Sequence, residues 1–178
     1  MRKPWWVTPV VAVTLLFPYA CAAPTKTATA PAVPASFGGT DLAWIELGIA
    51  MDQQVLPLLD LVPEHSDDPA VTATAGRVRQ FAGTELTALR ALHDEAGLPA
   101  TNPHEGMVMP GLVAAGQVTE AATLTGAAFD AVAVRELRAY LRQASSLARS
   151  EQTAGRDPRT RSLAAQAATT HDAELERL

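Results

Sequence analysis

Two stretches of this 178-residue chain repeat one another at a single offset, without a gap. Asp41 recurs as Asp130, Ala50 as Ala139, Gln54 as Gln143, Asp68-Pro69 as Asp157-Pro158, Ala75 as Ala164, Glu85-Leu86 as Glu174-Leu175 and Leu89 as Leu178, each pair 89 positions apart. Chance identities scatter over many offsets. One shared offset means that a single folding unit occurs twice and packs against its own copy. Each unit carries the same punctuation: an Asp followed by Pro is an N-cap and a first-turn proline, which starts a helix.

Apolar spacing at three and four residues then predicts helices over about 41–62, 69–96, 127–153 and 158–178, with a short one over about 117–124. The second stops at Gly97 and Pro99, and a loop with Pro103, Gly106, Pro110 and Gly111 follows. Asn-Gly and Asp-Gly turns are absent, no segment alternates as a strand does, and aromatics make up only 5% of the chain. Close-packed helices fit that composition better than a sheet does. The expected fold is all-α, a ferritin-like four-helix bundle made of two repeated helical hairpins. Repeat 1 covers 40–97, the connecting loop 98–125 and repeat 2 126–178. Pro57 should bend the first helix or end it early.

The start of the chain reads as an address. Arg2 and Lys3 precede an apolar run from Trp5 to Phe17, too short to span a bilayer comfortably. Ala20-Cys21 closes it in the manner of a bacterial lipobox, which makes Cys21 a lipidation site; ordinary cleavage within Ala20-Cys21-Ala22, with secretion, is the alternative. Residues 1–21 are thus the expected leader. Residues 22–39, rich in Pro, Ala and Thr, form a tether that cannot bury enough apolar surface to fold. Without Arg2 and Lys3 the chain keeps 12 basic against 19 acidic groups, so nucleic acid is not an expected partner. A lone Cys excludes an intramolecular disulfide framework, a Cys-type zinc site and an iron–sulfur cluster. No nucleophile–base set, phosphate loop or dinucleotide fingerprint appears, and the expectation is a protein that is not an enzyme.

Polar groups interrupt the apolar seams. The seams run through Leu42, Ile45, Ile49, Asp52, Leu56 and Leu59; through Val71, Ala75, Val78, Ala82, Glu85, Leu89 and Leu92; through Phe129, Ala133, Leu137, Tyr140, Ala144 and Leu147; and through Leu163, Ala167, His171, Glu174 and Leu178. A buried carboxylate needs a partner. One reading is an interior metal site of Asp52, Glu85, His171 and Glu174. A second is a hydrogen-bonded cluster, Tyr140 to a carboxylate and His171 to Glu85 or Asp52. A third has Glu85 or Glu174 facing water. His104, Met107 and Met109 in the central loop form a second candidate metal site for soft ions, or simply cover the end of the bundle around a solvated His104. His65 reads as helix-start chemistry and His93 as an exposed helix-end residue. Arg135, Arg138, Arg142 and Arg149 make a basic stripe, either solvated or facing an acidic partner or anionic lipid.

Asp41-x-x-Trp44, Asp68-Pro69, Glu85-Leu86, Gly106-Met107-x-Met109-Pro110-Gly111, Gly126-x-x-Phe129-Asp130, Asp157-Pro158 and Glu174-Leu175 together resemble the domain of unknown function 305 family over about 40–178. The resemblance implies a secreted or membrane-anchored ferritin-like bundle, in a family where some members are linked to copper or other metals. It also implies a Met-x-x-His-His motif in the first helix of each hairpin and Gln-x-x-Glu in the second. This chain has Met51-Asp52 and Tyr140-Leu141 at the His pairs and Ala82 and His171 at the Gln positions, while Glu85 and Glu174 are kept. The scaffold therefore carries over and most of the ligands do not. The expected function is a non-enzymatic cell-envelope lipoprotein, a binding or structural module on the outer face of the cytoplasmic membrane, held there by its lipid anchor and meeting an envelope protein. The alternative is extracytoplasmic sequestration of copper or iron through the remaining carboxylate, His and Met groups; otherwise no cofactor is expected.

Overall fold

The computed structural model describes residues 36–178. The expected leader, Cys21 and residues 22–35 of the expected tether lie outside the described residues. Five helices follow in order: α1 (Gly39–His65), α2 (Pro69–Ala96), α3 (Ala115–Ala121), α4 (Gly126–Ala154) and α5 (Pro158–Leu175). No strand occurs among the described residues. The long helices pair as hairpins, α1 with α2 and α4 with α5, and the hairpins close into a four-helix bundle with α3 against α1 and α4. The repeat survives in the boundaries. His65 and Ala154 end α1 and α4, and Pro69 and Pro158 begin α2 and α5, at the offset seen in the sequence.

The two Asp-Pro starts act as their chemistry dictates. Asp68 accepts from the backbone N–H of Ala70 (2.7 Å) and Val71 (3.4 Å). Asp157 accepts from those of Arg159 and Thr160, both at 3.0 Å. Asp68 is exposed, whereas Asp157 is buried. Burial works to raise the Asp157 carboxyl, but the Arg159 guanidinium and the backbone donors outweigh it and hold the group at about 2. Gly97, at φ 66°, turns α2 off in the left-handed region.

Contacts at the helix ends fix the directions. Asp41 at the start of α1 meets Arg156 and Asp157 beyond α4. His65 at the end of α1 meets Leu124 just before α4. So α1 and α4 are antiparallel. Arg77 with Glu174 and Glu95 with Arg159 make α2 and α5 antiparallel as well. It follows that α2 and α4 run the same way, and the segment between them must travel the length of the bundle. One long crossover is the ferritin-like connectivity. Asn102 anchors that segment by donating to the Glu46 carbonyl (2.7 Å), and Leu112 and Val113 enter the core. Gly111, at φ 85°, lies so close to α4 that a Cβ would come within 2.3 Å of the Gln143 Cβ.

The core has a larger cluster around Met51, Val55, Leu58, Phe129 and Leu141 and a smaller one around Trp44, Ile45, Leu89 and Ala164. Three expectations need correcting. Of the two effects expected of Pro57, the early end does not occur: α1 runs through it to His65. Both Pro57 and Gln53 are exposed, so the carbonyl deprived of its helical donor faces water and the interruption is tolerated. Next, the α1 seam is broader than one stripe. Leu42 and Leu56 are only half-buried while Trp44, Met51, Val55 and Leu58 are buried, because α1 packs against α2, α4 and α3 together. Finally, α3 begins at Ala115 and ends at Ala121, and α5 ends at Leu175, each a little short of the expected C-terminal limit.

Candidate functional site: a polar cluster beneath a groove

Each long helix sends one polar or titratable side chain to the middle of the bundle: Asp52 from α1, Glu85 from α2, Tyr140 from α4 and His171 from α5. The Tyr140 hydroxyl donates to Asp52 Oδ1 at 2.7 Å. His171 Nε2 stands 3.2 Å from Glu85 Oε2, close enough for charge attraction but outside hydrogen-bond geometry. The His171 ring meets Tyr140 edge-on at 5.8 Å and Phe81 at 5.1 Å. Burial, with the nearby Glu85 carboxylate adding to it, drives the Asp52 carboxyl well above the usual range against the opposing Tyr140 bond. Burial likewise raises the Tyr140 phenol. Asp52 Oδ2 and both His171 nitrogens have no partner among the described residues. A void of about 10 Å³, close to the size that admits one water, lies against Asp52 and Glu85.

Glu174 does not join this group. It is buried, yet it accepts from Arg77 Nε at 2.9 Å and Arg177 Nη1 at 2.8 Å. Those guanidiniums hold it one turn beyond His171, towards the end of α5. Neither Glu85 nor Glu174 faces open water. The donor set does not fit an interior metal. Tyr140 holds Asp52 through Oδ1, two arginines hold Glu174, and the groups left over, Asp52 Oδ2, Glu85 and His171, do not converge on one point as copper or iron would need. Among the described residues no three His, Cys, Asp or Glu side chains gather as a metal site would require.

Above the cluster, α2 and α5 meet less closely than α1 and α4 do and leave a groove of about 450 Å³. Phe81, Ala88, Leu163 and Ala167 line its apolar part, the Arg77–Glu174 pair stands in its wall, and Glu85 reaches it from the cluster below. Glu85 thus borders both the groove and the inner void.

The central loop disposes its candidates separately. Met109 packs on the larger core cluster, whereas Met107 is 40% exposed and does not cover the bundle end. His104 is half-buried, not solvated, and its Nδ1 has no partner among the described residues. His65 closes α1 and does not start α2; its Nδ1 is 2.6 Å from the Leu124 carbonyl and its ring lies 5.3 Å from Phe129. His93 is half-buried, with Nε2 3.1 Å from the Pro99 carbonyl. In the basic stripe, Arg135 pairs with Glu136 and Arg149 with Asp172.

Sequence reasoning missed a second buried acidic site. Asp41 accepts from the backbone N–H of Gly38 (2.6 Å), Arg156 (3.0 Å) and Asp157 (3.0 Å), tying the start of α1 to the α4–α5 turn. Glu151 lies beside it with no exposed surface, and neither of its oxygens finds a donor. Burial, followed by the hydrogen bond and the charge of Asp41, pushes the Glu151 carboxyl up to about 8. Glu151 is therefore the protonated member and gives its proton to Asp41. Burial alone would raise Asp41 too, but the bonds from Glu151 and the three backbone donors hold it below its usual value. The signal was in the sequence: continuing the α4 seam through Ala144 and Ala148 leads to Glu151.

No helix among the described residues is long and apolar enough to cross a membrane. Curated proteins offer no match to this chain. Crystal structures that resemble it include the following two. A DUF305 protein of Streptomyces coelicolor, described as a candidate secreted protein, is 18% identical over 77% of this chain and 88% of its own, with a TM-score of 0.69. A DUF305 fragment of Deinococcus radiodurans is 16% identical over 82% of this chain and 94% of its own, also at 0.69. At such identities these likenesses speak for the fold. The profile of the family described as "Domain of unknown function (DUF305)" matches residues 41–178, both hairpins and the crossover together, and the chain belongs to that family.

Proposed function

We propose that this protein is a non-enzymatic, extracytoplasmic binding module, anchored by lipid at Cys21 to the outer face of the cytoplasmic membrane and held off it by the Pro/Ala/Thr tether, where it meets other envelope components. The observation that carries the binding role is the groove between α2 and α5, which opens onto two buried carboxylates, Glu174, held by arginines, and Glu85, which no arginine holds. A rigid helical scaffold presenting one concave, largely apolar site is suited to holding a ligand. The polar cluster beneath is arranged for stability: Tyr140 is committed to Asp52, and the two arginines to Glu174. The leader-like start of the chain and the description of the Streptomyces relative support a place outside the cytoplasm. Metabolic labelling with a fatty acid tests the anchor. Label should enter the wild-type protein and be lost with Cys21→Ser; an unlabelled wild type makes it a freely secreted protein.

A second reading, sequestration of copper or iron, has the adjacency of Glu85 and His171 in its favour. Elemental analysis after dialysis separates the two. Metal retained by the wild type and lost on replacing Glu85 and His171 by Ala would replace the first reading with this one.

A further inference from the structure

Resting on the reading of the α2–α5 groove as the binding site, we propose that its ligand is a small organic cation. An ammonium head sits against Glu85, and an apolar body lies along Phe81, Leu163 and Ala167.

Glu85 supplies the first argument. Its side chain is only 9% exposed, it borders the groove, and it accepts no hydrogen bond from any described residue. Its one close polar neighbour, His171 Nε2, is off hydrogen-bond geometry. A carboxylate removed from water without donors is costly, and a ligand bringing N–H donors and positive charge restores what burial removed. Charge balance supplies the second argument. The charged groups at the groove are segregated: Arg77 and Arg177 are both committed to Glu174, which leaves Glu85 with no guanidinium or ammonium partner and only the His171 ring beside it. An anionic ligand meets repulsion there. A neutral one leaves the carboxylate unpaired.

The walls supply the third. Phe81 offers an aromatic ring within the same groove, and a cation beside an aromatic face is attracted to it. Leu163 and Ala167 give the body of the ligand an apolar surface, while the Thr84 and Thr170 hydroxyls stand by as polar contacts. A volume of about 450 Å³ is within the range of small-molecule sites. A bare divalent ion is a poorer match, since it would find one carboxylate and none of the additional oxygen or nitrogen ligands it needs.

The test uses the full chain and three probes of one shape: n-hexylammonium, n-hexanol and hexanoate, followed by isotope-edited NMR at pH 7. Hexylammonium should shift resonances of α2 and α5 around Phe81 and Glu85, bind more tightly than hexanol, and weaken about tenfold in Glu85→Gln. Hexanoate should bind least. Thr84→Lys places a tethered ammonium at the exposed edge of the groove without touching the core, and it should also displace hexylammonium; it keeps the test decisive if Glu85→Gln fails to fold. Hexanol binding as tightly as hexylammonium, with neither substitution altering the order, overturns the cation while leaving the groove as a binding site. Resonances around the groove that respond to none of the three probes overturn both.

Discussion

The Asp41–Glu151 pair makes the stability of this bundle depend on pH in a way that one isosteric change should abolish. Glu151 titrates near 4.5 in an unfolded chain and near 8 in the folded protein. Below about 4.5 both states hold the proton and the group is neutral in its effect. From there to about 8 the folded chain retains a proton that the unfolded chain has released, so stability falls as pH rises. Above about 8 the loss is complete. That interval corresponds to up to about 5 kcal/mol, a large part of what holds a domain of this size together. The physical source is plain: an ionised Glu151 would sit fully buried beside an Asp41 already charged, with only Arg161 to offset it. Glu151→Gln keeps the shape and the donor to Asp41 and removes the titration. Urea unfolding of both proteins at pH 5, 7 and 9 should show their difference widening with pH in favour of the variant, most of it present by pH 7. Parallel profiles would refute the shared proton.

Further outcomes follow from single contacts. Tyr140→Phe leaves Asp52 with neither oxygen bonded and should lower stability by about 1–3 kcal/mol in urea unfolding, without altering the helical circular dichroism of the folded state. Asp157→Ala should cost about 1–2 kcal/mol and Asp68→Ala about 0.5–1 kcal/mol by the same measurement, because the buried cap also binds Arg159 and the Thr160 hydroxyl whereas the other is solvated. Gly155→Ala should cost about 1–3 kcal/mol, since its Cβ would lie 1.9 Å from Glu151 Oε1 and 2.6 Å from the Glu151 carbonyl. Gly48→Ala places its Cβ 2.9 Å from Cδ1 of the fully buried Leu89, a cost that the roughly 1 kcal/mol gain in helix propensity offsets, and thermal unfolding should show a net change within about 1 kcal/mol.

The helices were legible because their signals are local. An Asp-Pro pair caps a helix wherever it stands, Gly97 stops one, and the shared offset shows that the second hairpin copies the first. The early end expected at Pro57 fails for the complementary reason. The effect of this proline depends on whether the carbonyl it strands faces water or core, which helix packing decides and the residue itself does not. The seam of α1 was drawn too narrow because a single periodic stripe describes a helix with one neighbour, and α1 has several.

Partners across the bundle are a different matter. Asp52, Glu85, Tyr140 and His171 could be named from their phase, but not which carboxylate would take the Tyr140 hydroxyl, nor that Arg77 would draw Glu174 away. The repeat itself hides this. Asp41 and Asp130 are the same residue in the two copies, yet Asp41 is clasped by three backbone donors and Glu151, while Asp130 keeps a buried Oδ1 without a partner among the described residues. The position that pairs with Glu151 at the repeat offset is Val62, a core residue. Likewise Ala82 stands where His171 does, and Met51 where Tyr140 does. A scaffold built twice satisfies its backbone twice over. Asp52, Tyr140, His171 and Glu151 are departures of one copy from the other, whereas Glu85 and Glu174 are the same residue in both and differ in what surrounds them: Glu174 is held by two arginines, and Glu85 lies between His171 and the edge of a groove.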